Sequence, residues 1–184
     1  MSTPLRVLGI SGSLRKGSLN TNLLKAAQEL APSGISVDIA DISQIPPYNA
    51  DIDPFPAAVT ALKKQVEAAD AILIATPEYN FSITGVLKNV LDWISRPYGK
   101  CSLDDKPVAI MSASTGMLGG GRAQYHLRQV LVEMNAHAMG KPECIVTFAP
   151  EKFDTSGKLT DAKTREKIVE MLTALAAWTE RLRE

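Results

Sequence analysis

Five short apolar runs recur along the chain: "RVLGIS" (residues 6–11), "ISVDIA" (35–40), "AILIAT" (71–76), "PVAIMS" (107–112) and "CIVTF" (144–148). Three of them are apolar almost without interruption. A strand without alternating polar positions has no face to offer to water, and this is how strands buried on both faces of a parallel sheet read. The intervening segments have the helical spacing that such a sheet needs for its crossovers. Leu23, Leu24, Ala27 and Leu30 share one side of a first helix, which "APSG" (31–34) stops with a proline and a glycine. A second helix is expected over 54–69, with Pro54 or Pro56 in its first turn. A third is expected over 84–95, ending before Pro97, and a fourth over about 123–134. A last one follows "SGKLTD" and sets Ile168, Met171, Leu172, Leu175 and Thr179 at spacings of three and four.

Strands that each precede a helix predict an α/β fold, a doubly wound, five-stranded parallel sheet with helices on both faces. The flavodoxin-like order 2-1-3-4-5 is one of two common outcomes, and periodicity alone does not choose between them. At 184 residues the chain has the length of one domain, expected to span 1–184. Its 20 basic and 20 acidic residues give no charge bias toward a polyanion, so nucleic acid is not an expected partner. Cys101 and Cys144 lie far apart with no C-x-x-C and no histidine cluster beside them, the mark of reduced structural thiols and of no metal site. "MSTPLRVLGI" has no charged start followed by a long apolar run, and no segment approaches the about 20 apolar residues of a membrane helix. A cytoplasmic protein without a membrane partner is therefore expected.

The chemistry should lie beyond the carboxyl ends of the strands. After the first run comes "SGSLRKGSLNT" (11–21), which has neither the glycine triple of a dinucleotide fingerprint nor the lysine of a Walker loop, because Ser18 follows Gly17. Ser11 is no hydrolase nucleophile, since position 13 is not glycine. What the loop offers is several hydroxyls, one carboxamide, Arg15, and backbone N–H groups at a helix N-terminus. That inventory suits a terminal phosphomonoester. Equally, Ser18 and Asn20 could do no more than cap the first helix while Gly12 makes a tight turn.

Two further loops follow the third and fourth runs, "TPEYNFSITGVLKNVLDW" (76–93) and "SASTGMLGGGRAQYHLRQ" (112–129). Together with "GSLRKGSLNTNLL", "IPPYNAD" and "FDTSGKLTD", they resemble the NAD(P)H-dependent FMN reductase family, flavodoxin-fold enzymes that include quinone and chromate reductases. The resemblance runs through nearly the whole chain. It implies that Ser11, Ser13, Arg15, Ser18, Asn20 and Thr21 hold the FMN phosphate. It also implies that Pro77, Glu78, Tyr79 and Asn80 line the isoalloxazine ring, and that Ser114 with Gly116, Gly119 and Gly120 borders its other edge. The family usually has proline where this chain has Thr84, which can serve instead as an N-cap.

The glycines at 116, 119, 120 and 121 are expected to let the main chain approach a flat ligand, with their N–H groups facing negative charge near it. Taken alone, Tyr79 and Phe81 read as half-buried aromatics, and His126 and His137 as surface or interface histidines. The resemblance further implies a homodimer or homotetramer, to whose boundary Arg122, Tyr125 and Glu143 could contribute. The expected activity is transfer of hydride from NADPH or NADH through bound FMN to a small-molecule acceptor by a ping-pong mechanism. Quinones come first as acceptors, with free flavin, azo compounds or chromate as others. A flavodoxin-type electron carrier is the rival, although such carriers resemble acidic docking surfaces and this chain is neutral. A phosphate-binding module without flavin is a third possibility.

Overall fold

A computed structural model describes residues 4–184; the first three residues of the N-terminal stretch lie outside the described residues. The elements run β1 (Leu5–Ser11), α1 (Leu19–Leu30), β2 (Ile35–Ile39), α2 (Ala57–Ala68), β3 (Ala71–Ala75) and α3 (Gly85–Ile94). They continue with β4 (Pro107–Ala113), α4 (Gly121–Glu133), β5 (His137–Ala138), β6 (Cys144–Val146), a 3-10 turn (Ala149–Lys152) and α5 (Ala162–Arg183). All strand pairs are parallel and the order is β2-β1-β3-β4-β5, with β6 also on β4. The order is thus the flavodoxin-like one.

One correction concerns the fifth position, which two short strands share. His137 and Ala138 pair with Pro107 and Val108, and Cys144–Val146 pairs with Met111–Ala113. Gly140 and Pro142 stand between them, and a proline has no N–H to give a ladder. The second helix begins at Ala57, after both prolines rather than around them. The fourth begins at Gly121, two residues earlier than its apolar face indicates.

Side chains alternate strictly across the sheet. Val7, Leu73, Ala75, Ala109 and Met111 face α1 and α5, whereas Leu8, Ile10, Ile72, Ile74 and Ile110 face α2, α3 and α4. Both sets are buried, which is why these runs carry no polar alternation. Gly9 faces α1, where an added Cβ would lie 2.9 Å from Leu24 Cδ2.

Helix ends are set by short polar side chains. Ser18 Oγ accepts from Thr21 N (3.2 Å) at α1, and Asp161 Oδ2 accepts from Thr164 N (2.9 Å) at α5. Register places Ser11 beside Ala75, Ala75 beside Met111 and Ala113 beside Val146. The loops after β1, β3, β4 and β6 therefore leave one edge of the sheet together.

Candidate functional site

The loop after β1 is tied down at its start and open at its middle. Gly12 N donates to Ala75 O (2.7 Å), and a Cβ on Gly12 would lie 2.9 Å from Thr76 Oγ1, so only glycine lets the first and third loops touch here. The Ser11 and Thr21 hydroxyls pair with each other at 2.8 Å. Ser18 caps α1 as one reading of the sequence expected. Ser13 Oγ accepts from Arg15 N (3.3 Å), and the Arg15 side chain is exposed.

Asn20 is buried, and its carboxamide makes a reciprocal pair with the main chain of Ala113. Nδ2 donates to the carbonyl and Oδ1 accepts from the amide, both at 2.9 Å. It thereby pins the first turn of α1 to the end of β4. The amide N–H groups of Leu14, Lys16, Gly17, Leu19 and Asn20 donate to no group among the described residues. Those of Leu19 and Asn20 are the orphan donors expected at the start of a helix, and the other three belong to the loop before it.

The loop after β3 is bound to its neighbours by two side chains. Thr84 caps α3, accepting from Leu87 N (3.1 Å), and the same buried hydroxyl donates to Gly12 O (2.7 Å). The Glu78 carboxylate accepts from Arg122 N (3.1 Å) and Ala123 N (3.4 Å) and pairs with the Arg122 guanidinium. The N-cap residue of α4, Gly120, has no side chain for that role, so a carboxylate from another loop supplies it. Between Tyr79 and Ser82, which exchange backbone bonds of 3.0 Å, Asn80 and Phe81 both take positive φ, 51° and 67°. Non-glycine residues in that region are costly.

In the loop after β4 two glycines are required by the chain's own packing. A Cβ on Gly119 (φ 58°) would lie 2.5 Å from Ile145 Cγ2, and one on Gly120 (φ 89°) 2.8 Å from Ser112 Cβ. Their bareness admits the chain's own β4 and β6. Only Gly116 looks onto open space. The amides of Gly116, Gly119 and Gly121 donate to Ser114 Oγ, Gly116 O and Leu118 O, whereas those of Thr115, Met117, Leu118 and Gly120 remain unspent among the described residues.

Two cavities result. One of about 390 Å³ is lined by Ser13, Arg15, Ser18, Asn20, Pro77, Tyr79, Thr115 and Pro150. Another of about 460 Å³ is lined by Asn80, Phe81, Gly116, Met117, Leu118, Gly120 and Arg122. Glu78 and Ser114 belong to both. Ser11, Thr21 and Gly119 line neither and stand behind the others as supports. Thr115 and Pro150 were not among the residues expected at the site. Pro150 enters through the turn after β6, where Ala149 N donates to Ser114 O (2.9 Å), and no local pattern marks it. Among the exposed large apolar side chains of the described residues, Leu14, Tyr79, Phe81, Met117, Leu118 and Phe148 stand on these loops, which gives the mouth an apolar rim.

The trio expected at a subunit boundary is divided. Tyr125 Oη donates to Glu143 Oε1 (3.3 Å), but Arg122 turns away to Glu78 and stacks over Phe81. His126 Nδ1 lies 3.1 Å from Ser82 Oγ, and His137 Nε2 lies 2.8 Å from Asp105 Oδ1, both at the surface and away from the first cavity. Cys101 and Cys144 are unpaired, and burial pushes the Cys144 thiol up to about 12. Among the described residues no group of three or more His, Cys, Asp or Glu side chains is arranged to hold a metal ion. Among the described residues no helix is long and apolar enough to cross a membrane.

A family described as NADPH-dependent FMN reductase matches residues 5–151. A Pseudomonas aeruginosa protein named NAD(P)H-dependent FMN reductase is 51% identical over 185 residues, with each chain covered in full. The potato (Solanum tuberosum) NAD(P)H:quinone oxidoreductase is 45% identical over 181 residues, covering 94% of this chain and 92% of the relative. Among solved structures, the flavoenzyme NAD(P)H:(acceptor) oxidoreductase of Paracoccus denitrificans superposes with a TM-score of 0.88 at 37% identity. That match covers 96% of this chain and 97% of the other.

Proposed function

The chain belongs to the NADPH-dependent FMN reductase family, and from that premise we propose that the two cavities sharing Glu78 and Ser114 form its flavin and acceptor site. It is an oxidoreductase that uses FMN with NADPH or NADH. The residues present fit this cofactor. The unspent N–H groups of residues 14, 16, 17, 19 and 20 lie around the N-terminus of α1, where the helix dipole favours an anion. Ser13, Ser18 and Arg15 line the cavity beside them. The loop lacks a Walker lysine and Rossmann glycines because a single terminal phosphate presents neither a β,γ-phosphate nor a pyrophosphate to hold.

Bound FMN supplies the two-electron exchange between nicotinamide and acceptor. The chain's own part is to bind, orient and shield. Pro77, Glu78, Tyr79 and Asn80 form one wall, and Ser114, Gly116 and Gly120 with the free amides of Thr115, Met117 and Leu118 form the facing one. Those amides, which have no acceptor among the described residues, are available to stabilise negative charge on a flat ligand, as oxyanion donors do. The apolar rim suits a quinone better than a strongly hydrated acceptor. Kinetics are ping-pong, with donor and acceptor using the same face in turn, and free flavin, azo compounds or chromate serve as further acceptors.

The assembly is a homodimer or homotetramer in the cytoplasm, without nucleic-acid or membrane partners. The exposed Tyr125 and Val132 on α4, with the Tyr125–Glu143 pair, support a boundary there. The observation that carries the site reading is that Gly17, Leu19 and Asn20, whose amides are unspent among the described residues, line a cavity that shares Glu78 and Ser114 with an apolar-rimmed one. The test is to record the visible spectrum of the protein with FMN and then add NADPH without oxygen. A bound yellow chromophore that bleaches is expected; a colourless protein would remove the flavin site, and bound FMN that stays yellow would make the chain a carrier.

A further inference from the structure

We propose that Arg122 is a positioning residue that holds the Phe81 ring as a wall of the second cavity, and that the ring held there selects flat aromatic acceptors over small inorganic ones. The inference rests on the flavin and acceptor site proposed above.

Phe81 is in an unfavourable place for its type. Its φ is 67° and it follows Asn80 at 51°, inside a turn closed by two bonds between Tyr79 and Ser82. A bulky residue persists in that region only where its surroundings over-determine it. Burial does not do so, because the residue is 63% exposed. What holds the ring is the Arg122 guanidinium, whose Cζ stands 3.7 Å from the ring centroid.

Arg122 is itself fixed at its other edge. Its Nε donates to Glu78 Oε1 (2.5 Å), and Glu78 accepts from the backbone of Arg122 and Ala123. The circuit is closed: the loop after β3 grips the start of α4 through Glu78, and α4 grips the same loop three residues on through Phe81. The guanidinium bridges the two because it is planar, offering its edge to a carboxylate and its face to a ring. Phe81 shares the cavity wall with Met117 and Leu118. These are flat or compliant apolar surfaces suited to an aromatic ring. A small hydrated anion gains nothing from such a wall.

A double-mutant cycle tests this on the FMN-loaded enzyme with a benzoquinone and with ferricyanide as acceptors. Arg122→Met and Phe81→Leu should each lower kcat/KM for the quinone, mainly through KM, by about tenfold relative to ferricyanide. The double variant should lose no more than either single one. Arg122→Lys, which keeps the charge but not the plane, should behave like Arg122→Met. A second readout needs no turnover: in ¹⁵N spectra the Arg122 Nε–H signal should carry a ring-current shift that Phe81→Leu removes. Losses that multiply, full function in Arg122→Lys, or an Arg122 signal indifferent to Phe81→Leu would each overturn the proposal. Wild-type protein that fails to bind FMN would instead remove the site reading, while the Arg122 signal would still decide whether the circuit exists.

Discussion

Glu78 and Arg122 lie 44 positions apart, yet a single carboxylate receives the backbone amides of the second and third residues of α4 and the guanidinium of the second. The carboxylate is nearly buried, and Arg122 is partly open to water. Replacing Glu78 with alanine strips the helix of its cap and the arginine of its partner. With hydrogen bonds to charged groups at about 1.5–3 kcal/mol each, and solvent screening reducing the ion pair, a loss of about 2–3 kcal/mol is expected. Glu78→Gln keeps an acceptor for the amides and should lose about half as much. Urea midpoints of the two variants check both values.

Asn20 is expected to matter more for stability than as a direct ligand. Its reciprocal pair with Ala113 lies in the interior, where an unpaired polar group costs about 1–3 kcal/mol. Asn20→Ala leaves both an N–H and a C=O without a partner, so a loss of about 2–4 kcal/mol is expected in thermal or urea unfolding. Asn20→Asp removes the donor and sets a carboxylate beside the Ala113 carbonyl and the proposed phosphate site. It should weaken FMN binding at pH 7 by more than Asn20→Ala does; fluorescence titration of FMN reads the difference.

The parts of this fold visible in the sequence are those decided locally. β1, β3 and β4 announced themselves because each is buried on both faces, and α1 and α5 because Ser18 and Asp161 cap them within the first turn. What stayed hidden depends on pairs distant along the chain. The partner of Asn20 is 93 positions away, and that of Thr84 is 72. The cap of α4 comes from another loop, so the sequence before Gly121 shows no capping residue and the helix reads as starting late. β5 is two residues long, too short for any period. Gly119 and Gly120 were legible as glycines that had to be glycine. Whether the missing Cβ makes room for a ligand or for Ile145 and Ser112 is a fact of the third dimension.

Thr84 carries two bonds on one buried hydroxyl, to Leu87 N and Gly12 O. Thr84→Val keeps the shape and removes both, and a lost N-cap of about 1 kcal/mol plus an unpaired carbonyl should cost about 2–3 kcal/mol. Proline suits the φ of −73° at this position. Thr84→Pro should therefore fold, but it should free the loop after β1 from the loop after β3. Faster amide hydrogen exchange at Gly12, Ser13 and Arg15, whose amides are bonded, is the expected sign, with little change in α3.

Cys144 offers a test of the core through pH. Burial holds its thiol protonated until about 12, whereas in the unfolded chain it ionises near the ordinary value of 9.0. Between those limits the unfolded state binds fewer protons, so stability falls as pH rises; below about 9 the contribution is fully present. The slope attributable to one such thiol approaches about 1.4 kcal/mol per pH unit. Cys144→Ala should start from a lower stability at pH 7, because it opens a small cavity, and decline less steeply between pH 9 and 12. Measuring urea midpoints of both proteins at several pH values checks the sign, and parallel curves would show that the thiol is not held neutral. A thiol reagent at pH 8 should meanwhile modify Cys101 in the native protein and reach Cys144 only after denaturant is added, since Cys144 is 1% exposed while Cys101 is partly open.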